Sequence, residues 1–420
     1  VDRRPVEAPT RTDPVAATMS EVVGGPLGDH AGGHRWWGPA RVLVGATSLV
    51  LAAGMASKSA CVPSGWSKPD QPFAQLCWTD LAGAPIDAGR PPHVATWLER
   101  AAAALPGDGT VATTAALAVV LAALALLATA LLVRVDPRRP WAAAGWAFGP
   151  VLLVHWLSWD LVPAVAVAVV LWAWTSGRGW AAGAAAGVGA AFALPVAVAL
   201  LGVIAVGGRL RDRVDAVLAA AAAYVVVTLP GRARGETPDL GSIWLFLDPV
   251  GVDGSARTRT AVQVVVLALA AVAVWWLVRR TVVVSAMTTA RAGLVVLAAA
   301  LVVAPAAPPE QALLVLPLAA IAVRRWRDLL VWQGLTLLSS VITGWYVGQA
   351  LLPTVTDDGR AYWLAILLRV AGLVWLVVAV LRDAEPAPAV GSGDDDPVEV
   401  GGGEADADLD VLADARDARA

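Results

Sequence analysis

The sequence predicts an all-α membrane protein, a polytopic bundle of about twelve helical segments with a structured first extracytoplasmic loop. Three observations lead there. Hydrophobic residues make up 58% of the 420 and charged residues only 15%, below the roughly 25% charged typical of a soluble domain. Apolar runs such as 111–133 and 261–278 approach or exceed the ~18 to 20 residues that a helix needs to cross about 30 Å of hydrocarbon. Strict alternation of apolar and polar residues is absent, so backbone groups in lipid must be satisfied within helices and not around a β-barrel.

Residues 1–35, rich in Pro, Gly, Arg and Ala, are expected to be a disordered cytoplasmic segment, without the continuous apolar core of a cleavable signal peptide. The membrane domain is expected over 36–383. Its first helix is placed at 39–57, and the loop 58–110 separates it from a second helix at 111–133. Beyond that, arginines punctuate the sequence at Arg134, Arg138 and Arg139, at Arg178, at Arg209, Arg211 and Arg213, at Arg279 and Arg280, at Arg324, Arg325 and Arg327, and at Arg382. Short loops rich in Arg stay on the inner side. This register places helices at 141–157, 161–175, 214–229, 261–278, 292–304, 312–323, 329–348 and 362–381.

Residues 180–206 must leave and return between two inner clusters, which predicts two short segments broken near Pro195. Segments this short are tolerated where they pack inside a bundle or line a cavity. The loop 230–260 carries Arg232, Arg234, Arg257 and Arg259 on the outer side, where long loops obey the charge rule weakly. Residues 384–420 read as a disordered, acidic cytoplasmic tail. From 382 onward there are twelve Asp or Glu and three Arg, with too little apolar area to fold. The formal net charge of −3 therefore hides a net positive membrane domain. The topology puts both termini in the cytoplasm and the protein in the plasma membrane.

Within the loop 58–110 stand the two cysteines of the chain, Cys61 and Cys77. On the outer side an oxidising compartment favours a disulfide; the alternative is two small unpaired hydrophobes. Two cysteines with no nearby His fall short of a zinc set, and His30, His34, His93 and His155 have no ligand spacing, so no metal is expected. Asp80 follows Cys77 by three residues and reads either as a base held at the membrane face or as a solvated loop acid. Asp160 begins a helix, and a cap for its free N–H groups and a substrate ligand are equally good readings. Arg369 lies inside the last span, where a cation either snorkels or binds the phosphate of a lipid carrier. Tryptophan occurs 20 times against four Phe. An interfacial belt accounts for most of them, and sugar stacking is the further reading for Trp159 and Trp244. No GxxxxGKS/T, HExxH or GxSxG motif is present, and nothing points to nucleic acid or to a cofactor.

The order of several motifs resembles the actinobacterial branch of the glycosyltransferase 87 family, membrane enzymes of the GT-C fold that use polyprenyl-phosphate sugars. Cys61-Val62-Pro63-Ser64-Gly65-Trp66, Asp70-Gln71 and Cys77-Trp78-Thr79-Asp80-Leu81 are similar to that branch's first loop, which ends near C-Y-S-D-I/L-P. Ser158-Trp159-Asp160-Leu161 is similar to its N-W-D-L turn, and Gly241-Ser242-Ile243-Trp244 to its G-S-L-W segment. The stretches from Trp326 to Gln333 and from Tyr362 to Gly372 also fit, so the resemblance runs from about 36 to 383.

What it implies is transfer of a mannose-like or arabinose-like sugar from a polyprenyl-phosphate donor to an envelope glycan or glycolipid. Asp80 would be the base, Arg369 would hold the leaving phosphate, and Asp160 would order the acceptor or the loop. Three family motifs are replaced here. E-Y-P becomes Pro91-Pro92-His93-Val94, K-L-Y-P becomes Phe192-Ala193-Leu194-Pro195, and S-P-Q-Y becomes Pro308-Pro309-Glu310-Gln311. The rival expectations are a catalytically degenerate bundle with an assembly role and, opposed by the lack of an internal repeat, a transporter of lipid-linked sugars.

Overall fold

The computed structural model describes residues 38–68, 71–82, 93–104, 109–228, 240–247, 250–252, 254–281, 284–348 and 359–384. The expected cytoplasmic segment 1–35 and the acidic tail beyond Ala384 lie outside the described residues, as do Asp70 and, in the 230–260 loop, residues 230–239 with Arg232 and Arg234. Among the described residues all regular structure is helical. The principal helices are α1 (Pro39–Ser57), α2 (His93–Ala103), α3 (Gly109–Val135), α4 (Pro150–His155), α5 (Leu161–Thr175), α6 (Gly179–Phe192), α7 (Pro195–Ala205), α8 (Leu210–Thr228), α9 (Ala256–Arg280), α10 (Ala286–Val302), α11 (Ala312–Ala322), α12 (Trp326–Val347) and α13 (Arg360–Arg382). Five of these, α1, α3, α9, α12 and α13, are long and apolar enough to cross a membrane.

Prolines set several of the starts. Pro39, Pro150 and Pro195 each occupy the first turn of a helix, where the missing N–H costs nothing and the fixed φ suits the helix. Pro150 also corrects the expectation of one helix over 141–157. The chain there makes a 3₁₀ turn at Pro140–Ala143, a single turn at Ala144–Ala147, and a break at Gly149, whose ψ of 117° is extended. A residue before proline is pushed out of the helical region, so α4 must start afresh. The N–H of Val151 then donates to the buried Gln333 Oε1 on α12 at 3.3 Å.

Burial separates helices of similar composition. Most side chains of α5, α10 and α11 are covered by protein, and α3, α6, α7 and α8 surround them through the pairs α3–α5, α5–α6, α7–α10 and α6–α8. By contrast α9 exposes Val264, Val265, Leu269, Val272 and Trp275, and α8 exposes Leu218, Val225 and Val226. An apolar surface that large is unfavourable in water and natural in lipid. Some buried polar groups are paired across helices, as where Thr129 Oγ1 meets Thr47 Oγ1 at 2.9 Å and accepts from Trp146 Nε1 at 3.0 Å, while others, Thr114 Oγ1 and Trp156 Nε1 among them, have no partner among the described residues.

Arg382, one of the arginines that punctuate the sequence, and the buried Arg291 within α10 hold helices together. Arg382 Nη2 reaches the buried Asp328 Oδ2 at 3.0 Å, and Arg291 Nε donates to the Ala322 carbonyl at 3.2 Å. These bonds join α13 to α12 and α10 to α11.

Candidate functional site

The site is built where the first loop folds over the turn between α4 and α5. Cys61 and Cys77 form a disulfide with their Cα atoms 6.1 Å apart, and both sulfur-bearing residues are fully buried. Trp66 Nε1 donates to the Cys77 carbonyl at 2.9 Å. Two bulky residues flanking this core, Trp66 and Leu76, take left-handed backbone with φ of 59° and 55°, which costs about 1 to 3 kcal/mol each. The buried Lys58 offsets part of that cost, because its Nζ donates to the carbonyls of Leu76 at 3.3 Å and Trp78 at 3.0 Å. Exchanging both cysteines for serine is expected to remove about 3 kcal/mol in the chain-entropy model, read as a lowered thermal midpoint of the purified protein. An unchanged midpoint would show that Lys58 and Trp66 hold the loop alone.

Three bonds then fasten the loop to the α4–α5 turn. Thr79 Oγ1 donates to the Leu157 carbonyl at 2.6 Å, Ser158 Oγ donates to Asp80 Oδ2 at 3.1 Å, and the Trp159 N–H donates to the same oxygen at 3.0 Å. Asp80 keeps part of its surface exposed, yet burial is the largest influence on its carboxyl and pushes it up to about 6. The Trp159 N–H and Ser158 hydroxyl pull the other way, and Glu99 adds to the rise. At neutral pH this leaves a mostly ionised carboxylate.

Asp160 stands one residue before α5, but its backbone is helical (φ −66°, ψ −13°) and its side chain makes no capping bond. The cap reading is therefore not realised. Among the described residues no group donates to its carboxyl. Burial, then Asp80 and Glu310, raise it well above the usual carboxylate range. Glu310, on the 3₁₀ turn Pro309–Gln311, is 8% exposed. Burial and the neighbouring Asp80 push it up to about 7 against the pull of Lys58. Burial lowers Lys58 to about 8, opposed by Glu310 and Asp80.

Beside this group lies a cavity of about 280 Å³, lined by Lys58, Leu76, His155, Ser158, Glu310 and Val341 among others. His155 Nε2 and Ser340 Oγ meet at 3.0 Å on its wall. Thus Asp80 and Asp160 come together, and their neighbours Lys58, Ser158 and Glu310 line the cavity.

The remaining sequence candidates are elsewhere or enclosed. Arg369 is buried on α13 and its Nη2 donates to the Gly241 carbonyl at 2.7 Å, while the Gly241 N–H donates to Tyr362 Oη at 2.6 Å. It holds the 240–247 segment and does not line the cavity. Trp244 in that segment is 1% exposed, with Nε1 donating to the Val303 carbonyl at 3.2 Å, so in place of a stacking face for a sugar it supplies a fixed anchor. Trp159 is also buried. Its Nε1 donates to Glu99 Oε1 at 3.0 Å and its ring lies 6.3 Å from that of Phe192; its contribution to the site is its backbone N–H. No group of three or more His, Cys, Asp or Glu is placed to hold a metal ion among the described residues.

Sequence reasoning missed Lys58, Ser158 and Glu310. Lys58 had a signal, since it is one of two lysines in a chain that otherwise uses arginine and directly follows the first span. Glu310 stood out only as a departure from a family motif. Comparison with protein-family models, with curated proteins and with solved structures finds no match for this chain.

Proposed function

We propose that the chain is a membrane glycosyltransferase of GT-C type, which moves a mannose-like or arabinose-like sugar from a polyprenyl-phosphate donor to a hydroxyl of an envelope acceptor. The observation that carries this reading is the pairing of Asp80, oriented by Ser158 and Trp159, with the unbonded Asp160 beside it. Two neighbouring carboxyls, one accepting from Ser158 and Trp159 and the other without a donor among the described residues, suit an acid–base division of labour. Asp80, ionised, takes the proton of the acceptor hydroxyl as its oxygen attacks the anomeric carbon. The bond from that carbon to the phosphate oxygen breaks, and its electron pair leaves with polyprenyl phosphate. Asp160, neutral, donates a hydrogen bond that fixes the sugar being bound.

In this reading the short helices belong to a bundle of about twelve segments in the plasma membrane, with both termini cytoplasmic and the disulfide-bonded loop outside. Arg369 positions the 240–247 segment, a different task from the phosphate binding that its place in the last span suggests. The experiment is transfer of radiolabelled sugar from a polyprenyl-phosphate donor in membranes carrying the wild-type chain. Failure with every lipid-linked donor tried, at normal expression, removes the proposal in favour of an assembly role.

A pH profile gives a second check. The active form of Asp80 is the carboxylate, so transfer is gained as pH rises through about 6 and falls about tenfold per unit below it. Glu99, Asp160, Glu310 and Lys58 lie close enough that the apparent value belongs to the group as a whole. A flat rate between the acid and neutral ends of the profile would remove Asp80 as the base.

A further inference from the structure

The cavity beside the carboxyl group is amphipathic in a directed way. Lys58, Ser158 and Glu310 belong both to its wall and to the charged group around Asp80 and Asp160. Another part of the wall is α12, where Leu337, Val341, Gly344 and Val347 recur at the three- and four-residue spacing of one helix face, beside Ser340 and Thr343. That helix is among those long enough to cross a membrane. The volume of about 280 Å³ is near the lower end of small-molecule pockets, roughly 300 to 1,000 Å³. It suits one monosaccharide-sized head with the start of a chain.

Charge decides which head. One cation, Lys58, interacts with Asp80 and Glu310, Asp160 is a neighbour of both acids, and Glu99 is a further neighbour of Asp80. Lys58 Nζ already directs two of its hydrogens at the carbonyls of Leu76 and Trp78. A phosphate head would meet one spare N–H and several carboxyls, an arrangement that repels it. Hydroxyls reverse the account, since each donates to a carboxylate and accepts from an ammonium. Glu310 is 8% exposed and lines the cavity, and its carboxyl is held by a backbone N–H of its own turn, with no side-chain donor on it among the described residues. A carboxylate has about four acceptor sites, so a ligand hydroxyl at this wall can add a bond that the turn does not supply.

We infer that this cavity binds an amphiphile with an uncharged, hydroxyl-rich head against Lys58, Ser158 and Glu310 and a hydrocarbon tail along α12, and that this amphiphile is the sugar acceptor. The acceptor role rests on the proposed transfer; the binding site does not. On this inference the donor phosphate enters by another route, and a soluble glycan is a poor acceptor because it leaves the α12 wall uncovered.

The test uses the full chain in lipid nanodiscs with a hexadecyl β-glucoside carrying a photoreactive diazirine in its chain. Cross-links mapped by mass spectrometry are expected in 153–158 and 337–347. Excess hexadecyl β-glucoside should abolish them, and glucose or hexadecyl phosphate should not. Val341→Trp, which fills the cavity, should lose these cross-links while labelling of the exposed α9 residues Val264 and Leu269 persists as a control for folding. Competition by hexadecyl phosphate equal to that of the glucoside overturns the inference, as does labelling confined to α9 or unchanged by Val341→Trp.

Asp80→Asn separates binding from chemistry, because it should keep the cross-links and lose transfer to the glucoside. Cross-links in a wild-type chain that glycosylates other acceptors but never the alkyl glucoside refute the acceptor role. Cross-links in a chain that transfers to nothing refute the transfer reading and leave the site standing.

Discussion

Asp80→Asn is expected to lower sugar transfer by roughly 10² to 10⁴-fold, the usual contribution of a positioned base, with the fold intact. Asparagine keeps the shape and one carbonyl oxygen, so the Ser158 hydroxyl and the Trp159 N–H retain an acceptor in place of Asp80 Oδ2. The loop therefore stays fastened to the α4–α5 turn, helped by Thr79 on the Leu157 carbonyl. Only basicity is removed. The measurement follows label from a polyprenyl-phosphate sugar into product in membranes with equal amounts of each protein. Asp160→Asn provides the contrast. In the proposed mechanism Asp160 acts as a hydrogen-bond donor and an amide also donates, so that variant should lose far less than Asp80→Asn. Equal activity of Asp80→Asn and wild type would reduce Asp80 to a fastening residue for the loop and sink the mechanism.

How much of this was legible in the sequence depends on where the interaction lies along the chain. The ends of α1 and α5 were legible because each coincides with a local change, Pro39 and Lys58 around one apolar run and Asp160 before the other. The break at Gly149–Pro150 was written in the same local chemistry, but continuous hydrophobicity masked it. What could not be read was which apolar helices are enclosed. Lipid and protein interior are equally apolar to a side chain, so α9 and α10 have similar runs although one faces outward and the other is buried on all sides.

The site divides in the same way. Asp80 announces itself as an acid three residues after Cys77 in the first loop and Asp160 as an acid in an apolar turn, and their pairing comes from the bonds between loop and turn. Glu310 and Lys58 gain their meaning only from tertiary packing, which brings the Pro309 turn to the first loop. Arg369 shows the converse. A cation in a span is a functional hypothesis by default, and here the backbone of Gly241 uses it. Gly241 has φ of 76°, and a Cβ there would overlap the Ala307 carbonyl, so the segment Arg369 holds is itself fixed by a position that only glycine fills comfortably.

Gly183→Val is expected to destabilise the protein by at least about 3 kcal/mol, the upper range for overpacking a close contact, or to prevent folding. Gly179, Gly183 and Gly187 form one stripe of α6 against α8, and Cβ atoms at these positions would run into the carbonyls of Asp212, Ala216 and Ala220. Obstruction by backbone is not relieved by a rotamer change, so the two helices must separate along their length. In a membrane bundle this close approach is what small residues at four-residue spacing provide. The unfolding midpoint of the purified protein measures the effect, with Gly183→Ala as the graded case. Gly334 on α12 is the control, because a Cβ there meets nothing within 4 Å. Gly334→Ala should raise stability by about 0.5 to 1 kcal/mol through helix propensity alone. The effect should also reach the site, since α6 ends at Phe192 and that ring lies against Trp159, whose N–H orients Asp80. If Gly183→Val melts no lower than wild type while Gly334→Ala behaves as stated, the α6–α8 contact is not what holds this side of the bundle.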